Sequence, residues 1–259
     1  MNYLFIIILI AIVVYFYIMN IHPLLEIFSI NKNISVFKSK TNDLSEFCME
    51  KILTKGEAKF FAKQVKKDCN LWKKKNILMS ILGTASYLEG AKGGYSFYKK
   101  EYMKTNKILL KNYSKLYDKI LDYFKKRVGD ESNVKFRFAL PGFHIFKCNS
   151  LFSLPVASVH KDLQYRYIDF DEPVDIDLDK TGSFTLCLEL PKTGGGLYVF
   201  EDEKVKVDYR PGYIVCHNGK TNHMIAPSSI SDSKQLEYRI TLQGHLLYDK
   251  LSKCWFVYW

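Results

Sequence analysis

The chain has 259 residues, of which 47% are hydrophobic and 15% are aromatic, and it carries a formal net charge of +11. This composition supports a folded core and excludes a chain that is disordered throughout. The positive charge is almost all lysine, whereas specific nucleic-acid recognition relies heavily on arginine, so we expect no specific nucleic-acid binding. The cysteines form no CxxC pair, which argues against a structural zinc site.

The first predicted element is the uncharged apolar run from Tyr3 to Met19. A bilayer-spanning helix needs about 20 apolar residues, with a range of about 17–25. The run lacks the basic start and the small-residue cleavage site of a signal peptide. We therefore expect a transmembrane anchor within residues 1–20 and a single-pass membrane protein. Lys32, Lys38 and Lys40 favour a cytosolic position for the rest of the chain, although long domains can be translocated regardless of such charges.

Residues 21–42 are polar and are interpreted as a tether. Residues 43–133 show a mainly helical pattern and are interpreted as a supporting region for the domain that follows. The clearest helix is predicted from Tyr102 to Val128, where apolar residues recur at steps of three and four. Gly129 is expected to end this helix.

From residue 134 to residue 259 the apolar period changes to two, which is the period of β-strands. Between Ser183 and Leu190, for example, phenylalanine and leucine side chains share one face while Cys187 points to the other, inward face. About eight short strands separated by glycine and proline predict a double-sheet jelly roll. The expected fold class is α+β and mainly β, with a jelly-roll core, N-terminal flanking helices and a transmembrane helix.

Three residues that are distant along the chain predict a metal site. His160 and Asp162 form a His-x-Asp pair at a strand end, so their side chains point to the same face. Together with His223 they supply the two imidazoles and one carboxylate of the facial triad that holds non-heme Fe(II). His217 is a second candidate for the third ligand, since it also lies near a turn. We favour His223, because it follows the turn NGKTN and its side chain can lean across the mouth of the barrel.

Arg239 and Thr241 share one face of the last long predicted strand. An arginine inside a small barrel is costly unless an anion meets it. The guanidinium fork matches a carboxylate, and the neighbouring hydroxyl can add a hydrogen bond. A dicarboxylate that chelates iron at one end and meets Arg239 at the other would fit. The alternative is an internal salt bridge, for example to Glu189.

In this order, His160-x-Asp162, His223 and Arg239 with Thr241 resemble the HxD…H…RxS/T pattern of the 2-oxoglutarate- and Fe(II)-dependent dioxygenases. The resemblance covers about residues 142–247 and includes the segments SFTLCLELP, PGYIVCHNG and YRITLQGH. It implies a double-stranded β-helix, which is the same jelly roll. It also implies a hydroxylase that uses Fe(II), 2-oxoglutarate and O₂ and that forms succinate and CO₂.

The same resemblance implies that His160, Asp162 and His223 are catalytic residues that bind iron, and that Arg239 and Thr241 bind 2-oxoglutarate. Arg239 lies further past His223 than in prolyl-hydroxylase-like members, which weakens that narrower assignment. Two other functions stay open. A non-oxidative metal enzyme on a cupin-like barrel would have no need of Arg239, and a catalytically silent binding module would bind no iron.

The sequence does not identify the substrate, and a protein side chain is one candidate. The acidic stretch from Asp169 to Asp179 has two interpretations. It is either a solvated loop or a rim that attracts a basic peptide or protein.

Overall fold

The computed structural model of the chain describes residues 32–34, 43–129, 133–149, 152, 158–200, 204–228 and 236–259. Within these ranges, short helical turns at Cys69–Leu71, Ser86–Gly90 and Gln164–Tyr167 accompany the main elements. In chain order the strands and α-helices are β1 (Lys32–Ile34), β2 (Cys48–Lys51), α1 (Lys55–Lys67), β3 (Lys73–Lys74), β4 (Met79–Leu82), α2 (Ala91–Val128), β5 (Val134–Phe136), β6 (Gly142–Cys148), β7 (Ile176–Glu189), β8 (Leu197–Phe200), β9 (Lys204–Val207), β10 (Tyr213–Asn218), β11 (Asn222–Ile225), β12 (Glu237–Asp249) and β13 (Cys254–Tyr258).

The described strands form two sheets. The larger sheet has the order β2–β10–β7–β12–β6–β4–β3, and β13 joins it by pairing with both β12 and β5. The smaller sheet has the order β1–β9–β8–β11. Apart from the parallel pairs β1–β9 and β5–β13, neighbouring strands are antiparallel. The prediction of a mainly β chain is confirmed, and the antiparallel sheets are consistent with a jelly roll.

The two faces of the larger sheet differ because side chains alternate along each strand. On one face, Phe184, Leu186 and Leu188 of β7 belong to the same buried cluster as apolar residues of α1 and α2. On the other face, Cys187 packs with residues of the smaller sheet, such as Val199. The alternation predicted for β7, including the inward position of Cys187, is therefore observed. The helices cover the outside of the larger sheet, and the functional side chains lie between the two sheets.

Helix α2 begins earlier than the sequence predicts. The expected start was Tyr102, but the helix already runs from Ala91 and has non-helical dihedral angles at Gly94 and Tyr113. Tyr98, near the start of the helix, is fully buried, and its hydroxyl donates a hydrogen bond to the Trp259 carbonyl at 2.7 Å. This contact packs the first turns of the helix against the end of the described chain. That contact joins distant parts of the chain, so local periodicity does not reveal it. The predicted end at Gly129 is observed, where a positive φ of 75° lets the Gly129 amide cap the Lys125 carbonyl.

Several strands are absent from the sequence-based expectation. The region predicted to be helical, residues 43–133, also contributes β2, β3 and β4, which have four residues or fewer. Strand β13 was also missed, because all five of its residues are buried and no alternation marks it. Such short or fully buried strands are recognised only through the strands they pair with.

The N-terminal expectations need correction. The apolar run at residues 3–19 lies outside the described residues, as does the predicted tether apart from residues 32–34. Among the helices that the structure describes, none combines the length and the apolar character needed to cross a bilayer. This finding contradicts the single-pass membrane localisation that the sequence predicts.

The contact between β6 and the last residue of the chain gives a test of the packing. A methyl group at Gly142 would overlap the fully buried indole ring of Trp259. We expect Gly142→Ala to lower the free energy of unfolding by about 1–3 kcal/mol, the usual cost of overpacking a core. Denaturant unfolding measures this change.

A matched control is Gly56→Ala, in the first turn of α1. The nearest atom to a methyl group there is 3.9 Å away. Alanine also favours a helix by up to about 1 kcal/mol over glycine, so this variant should be as stable as the parent or slightly more stable. Equal unfolding midpoints for the two variants would contradict the packing of Trp259 on Gly142.

Candidate active site

His160 and His223 face each other across an antiparallel bridge. The amide of each residue donates a hydrogen bond to the carbonyl of the other, both at 3.0 Å. The Asp162 amide donates to the Gly219 carbonyl at 2.8 Å, which fixes the backbone that follows His160. These backbone hydrogen bonds bring together the His-x-Asp pair and the later histidine.

The three side chains meet at one point. Nε2 of His223 lies 3.3 Å from Oδ2 of Asp162, and Nε2 of His160 lies 3.8 Å from Oδ1 of the same carboxylate. The potential ligand atoms of the three residues all lie within 4.8 Å of one another. The His160 side chain is 42% exposed, whereas those of His223 and Asp162 are 6% and 12% exposed. The group is therefore open to solvent on the His160 side.

Backbone carbonyls orient both imidazole rings. Nδ1 of His160 donates to the Ser158 carbonyl at 2.8 Å, and Nδ1 of His223 donates to the Thr221 carbonyl at 3.0 Å. A carbonyl only accepts, so Nδ1 carries the hydrogen, and in the neutral ring the lone pair is on Nε2. Two oriented Nε2 atoms and a carboxylate are a donor set for Fe(II) that leaves coordination positions open. The residues present therefore fit the metal predicted from the sequence.

The carboxylate of Asp162 is held in its charged form. Burial alone would raise the pKa of Asp162, but the hydrogen bond to His223 and the surrounding histidines outweigh burial and hold the pKa well below its usual range. Burial lowers the pKa of His223, and the contact with Asp162 more than reverses this, so that the net pKa is raised. The Asp162 carboxylate is therefore available to a cation, and a cation bound there would compete with a proton for Nε2 of His223.

His217 lies beside the group of three. Its ring stacks on that of His223 with centroids 4.4 Å apart, and its Nδ1 donates to the Asn218 carbonyl at 3.0 Å. Burial lowers the pKa of His217 to about 4, so the ring is neutral near pH 7. The geometry thus places His223, rather than His217, among the potential ligand atoms around Asp162.

The Arg239 guanidinium is completely buried. Its Nε donates to the Gly195 carbonyl at 2.8 Å, and one terminal nitrogen donates to the Thr241 hydroxyl at 3.3 Å. The other terminal nitrogen, Nη2, has no hydrogen-bond partner among the described residues. Burial lowers the pKa of Arg239. The internal salt bridge to Glu189 considered above is not observed, because Glu189 pairs with Lys66 at 2.7 Å.

The sequence pattern did not single out Tyr209, which borders the same guanidinium. The Arg239 group lies 5.5 Å from the Tyr209 ring centroid and 5.6 Å from that of Phe146. Burial raises the pKa of Tyr209 to about 12, opposed by the Arg239 charge and the nearby Thr185 hydroxyl. The Tyr209 hydroxyl has no hydrogen-bond partner in the described part of the chain. Two buried polar groups with open hydrogen-bonding capacity therefore lie side by side.

A cavity of about 300 Å³ adjoins the three potential ligands. The wall consists of apolar and polar side chains, and Asp162 is the one acidic residue of the described lining. The residues that line it are Asn76, Ile77, Leu78, Met79, Tyr87, Leu88, His144, Phe146, His160, Asp162, Gln164, Phe184, Thr185, Leu197, His217, His223, Ile225, Gln243, Gly244 and His245. Arg239 and Thr241 are not among the lining residues, but Phe146 lines the cavity and its ring lies 5.6 Å from the Arg239 guanidinium.

Sequence reasoning missed His144 and Tyr87 and left His245 unexplained. Nε2 of His144 forms a 2.7 Å hydrogen bond with the Tyr87 hydroxyl, and Nδ1 of His245 forms a 2.8 Å hydrogen bond with the Ser183 hydroxyl. His144 carried one usable signal, because it alternates with apolar Phe143 and Ile145 on a predicted strand and so faces inward. Tyr87 lies in a short helical turn, where no such pattern exists.

Comparison with solved structures identifies the fold. The chain is similar to an oxidoreductase of the 2OG-Fe(II) oxygenase family from Burkholderia pseudomallei, with a TM-score of 0.51 and 9% identity over 83% of this chain and 93% of that chain. The chain has the fold of the 2-oxoglutarate- and Fe(II)-dependent oxygenases. The fold implied by the resemblance of the HxD…H…RxT pattern is thereby confirmed.

Two further structures with the oxygenase fold have the same TM-score. One is an N-substituted L-amino acid dioxygenase from Burkholderia ambifaria, at 11% identity over 82% of this chain and 86% of that chain. The other is that dioxygenase in complex with alpha-KG, at 12% identity over the same shares of the two chains. No protein-family model and no curated protein sequence matches the chain. At these identities the similarity concerns the fold, and the chemistry has to be argued from the site itself.

The two neighbouring histidines give a direct test of the metal ligands. We expect His223→Ala to weaken Zn(II) or anaerobic Fe(II) binding more than about 100-fold, because a metal-binding energy of about 10–16 kcal/mol is shared among only a few ligands. His217→Ala removes a stacked ring but no potential ligand atom of the group, so it should cost less than about tenfold. Calorimetric titration of the metal-free protein measures both affinities. Similar losses in the two variants would contradict the assignment of His223 over His217.

Proposed function

We propose that the chain is a 2-oxoglutarate- and Fe(II)-dependent oxygenase that hydroxylates a C–H bond of an organic substrate. One observation carries the proposal: His160, Asp162 and His223 line a cavity together with Phe146, and the buried guanidinium of Arg239 lies 5.6 Å from the Phe146 ring. A metal site alone would suit many enzymes. A nearby buried arginine, whose Nη2 atom has no partner among the described residues, specifically suits an anionic co-substrate that also reaches the metal.

In the proposed site, Nε2 of His160, Nε2 of His223 and the Asp162 carboxylate hold Fe(II). The carbonyls of Ser158 and Thr221 keep both imidazoles turned toward the metal position. Gln164 donates a hydrogen bond to Oδ1 of Asp162 at 3.0 Å and so restrains the carboxylate. When bound, iron with 2-oxoglutarate and O₂ supplies the oxidant for hydroxylation, and succinate and CO₂ are released.

The distal carboxylate of 2-oxoglutarate would bind Arg239, Thr241 and Tyr209. The open Nη2 of Arg239 and the Tyr209 hydroxyl both lack partners among the described residues, and both can donate to a carboxylate. Gly195 holds the guanidinium through its carbonyl, and the positive φ of 78° at Gly194 and Gly195 turns the chain toward it. A buried charge is unfavourable unless an opposite charge meets it, so a carboxylate beside Arg239 would lower the cost of burying the guanidinium.

The alternative functions account less well for Arg239. A non-oxidative metal enzyme would need the three metal ligands but not a buried guanidinium with unused donors. A catalytically silent module would need neither the oriented imidazoles nor the charged Asp162. The group that is hydroxylated, whether part of a protein side chain or of a free small molecule, would enter the cavity beside the metal.

The acidic segment offers little to a basic peptide. Asp171 pairs with Lys99, Asp179 with Lys220, and Asp175 with Lys250. Glu172 pairs with Arg137. No acidic residue of this segment lines the described cavity. These contacts favour the interpretation of the segment as a solvated surface.

Anaerobic titration with Fe(II) and 2-oxoglutarate tests the proposal. A weak visible charge-transfer band should appear only when both are present. Arg239→Lys keeps the charge but loses the planar fork, and it should weaken 2-oxoglutarate binding about 30-fold or more, because truncating a buried charged contact costs about 2–5 kcal/mol. The band of the variant should then be recovered only at much higher 2-oxoglutarate concentration.

Arg210→Lys is the matched control, since Arg210 is exposed at the surface. It should leave the titration unchanged. Under O₂, the parent protein should convert 2-oxoglutarate to succinate in an Fe(II)-dependent manner. Absence of the band in the parent protein, or equal 2-oxoglutarate affinities for the two arginine variants, would exclude the proposed function.

A further inference from the structure

The cavity beside the metal ligands is nearly free of charge. None of the residues that line it is lysine, arginine or glutamate within the described ranges, although the chain contains 38 lysines and arginines. Asp162 is the one acidic residue of the lining, and it is engaged by His223 and, in the proposed function, by the metal. Beyond the metal site itself, a charged substrate group would therefore meet no side chain of opposite charge among the described lining residues.

Part of the cavity lining is apolar and reaches the surface. Ile77 and Leu78 precede β4 and Met79 begins it, and Leu88 and Ile225 are further apolar residues of the lining. Ile77 is 76% exposed, which is unusual for a large apolar side chain and places an apolar edge at the opening. Binding cavities for organic molecules commonly combine such an apolar wall with a few placed polar groups.

The polar groups of the cavity are mostly paired with one another. The Tyr87 hydroxyl is bonded to His144 at 2.7 Å, and the Gln243 amide donates to the Thr185 hydroxyl at 3.3 Å. His245 differs, because Ser183 engages its Nδ1 while its Nε2 is buried without a partner in the described structure. Buried polar atoms of this kind are normally hydrogen-bonded, so an open one on a cavity wall indicates a position where a ligand completes the hydrogen bond.

We propose that the substrate group admitted to this cavity is uncharged and mainly apolar, and that it carries one hydrogen-bonding atom that meets Nε2 of His245. The inference rests on the proposed function for the metal and the co-substrate. An ammonium or carboxylate group would have to be desolvated without an opposite charge, which is far more costly than burying a neutral amide or hydroxyl that finds one hydrogen bond.

The test uses three probes with the same six-carbon chain and different head groups: hexanamide, hexanoate and hexylamine. At pH 7 the first is neutral, the second negative and the third positive. The full-length protein is loaded with Zn(II), which is redox-silent, and with saturating 2-oxoglutarate, so that Arg239 is occupied. Ligand-observed NMR then measures each dissociation constant. We expect hexanamide to bind at least about tenfold more tightly than either charged probe.

His245→Phe tests the named hydrogen bond. It keeps an aromatic ring and removes Nε2, so hexanamide should bind about threefold to tenfold more weakly, the contribution of one hydrogen bond. Tyr95→Phe removes a hydroxyl that contacts Asp171 outside the cavity and serves as the control. That variant should bind hexanamide like the parent protein. If His245→Phe does not fold, the ranking of the three probes on the parent protein still decides the substrate class.

Failure of this inference differs from failure of the proposed function. Tighter or equal binding of hexanoate or hexylamine, or unchanged hexanamide binding in a folded His245→Phe variant, would overturn the inference while leaving the Fe(II) and 2-oxoglutarate band intact. Loss of that band in the parent protein would instead overturn the proposed function.

Discussion

The site depends on the two-residue alternation of side chains in β6, β7 and β12. Each strand directs apolar side chains to the helices on one face and polar side chains to the smaller sheet on the other. Because the smaller sheet closes the inner face, a polar group there must find a partner within the protein or in a ligand. Most do, as in the pairs Tyr87–His144 and Ser183–His245.

A few polar atoms on the inner face of the larger sheet lack a hydrogen-bond partner among the described residues, and a bound ligand could supply one. Within the described ranges, Arg239 lies near one end of β12 and has an unpaired Nη2 atom, and the neighbouring Tyr209 hydroxyl is also unpaired. His245 lies further along β12 and has an Nε2 atom that is likewise unpaired in the described structure. The inner face therefore divides the chemistry along β12. In the proposed function, the end of β12 at Arg239 binds the co-substrate, and the uncharged part near His245 binds the substrate.

The metal position is created by strand register. His223 lies on β11 and is held opposite His160 by a pair of backbone hydrogen bonds. A shift of β11 by one residue would turn His223 to the other face of the smaller sheet and remove it from Asp162. The register is secured on the other edge of β11 by its antiparallel pairing with β8, where His223 lies opposite Val199. Strand register thus sets the position of His223, whereas His160 and Asp162 lie in an irregular segment that backbone hydrogen bonds to His223 and Gly219 hold in place.

The sequence by itself determined the periodic features and the residue types of the site. The alternation from Phe184 to Leu188 and the helical stripe that ends at Gly129 were readable from it, because each depends on neighbours in the chain. The pattern of His160, Asp162, His223 and Arg239 was readable from the order of these residue types along the chain. Tertiary structure alone decided that Glu189 pairs with Lys66 and that Arg239 has no acidic partner within the described ranges. It also decided that Tyr87, Tyr209 and His144 border the site, that β13 completes the larger sheet, and that no described helix spans a membrane. The reason is that local periodicity fixes which face of a strand a side chain occupies, whereas only the packed chain fixes which strand, turn or ion lies opposite that face.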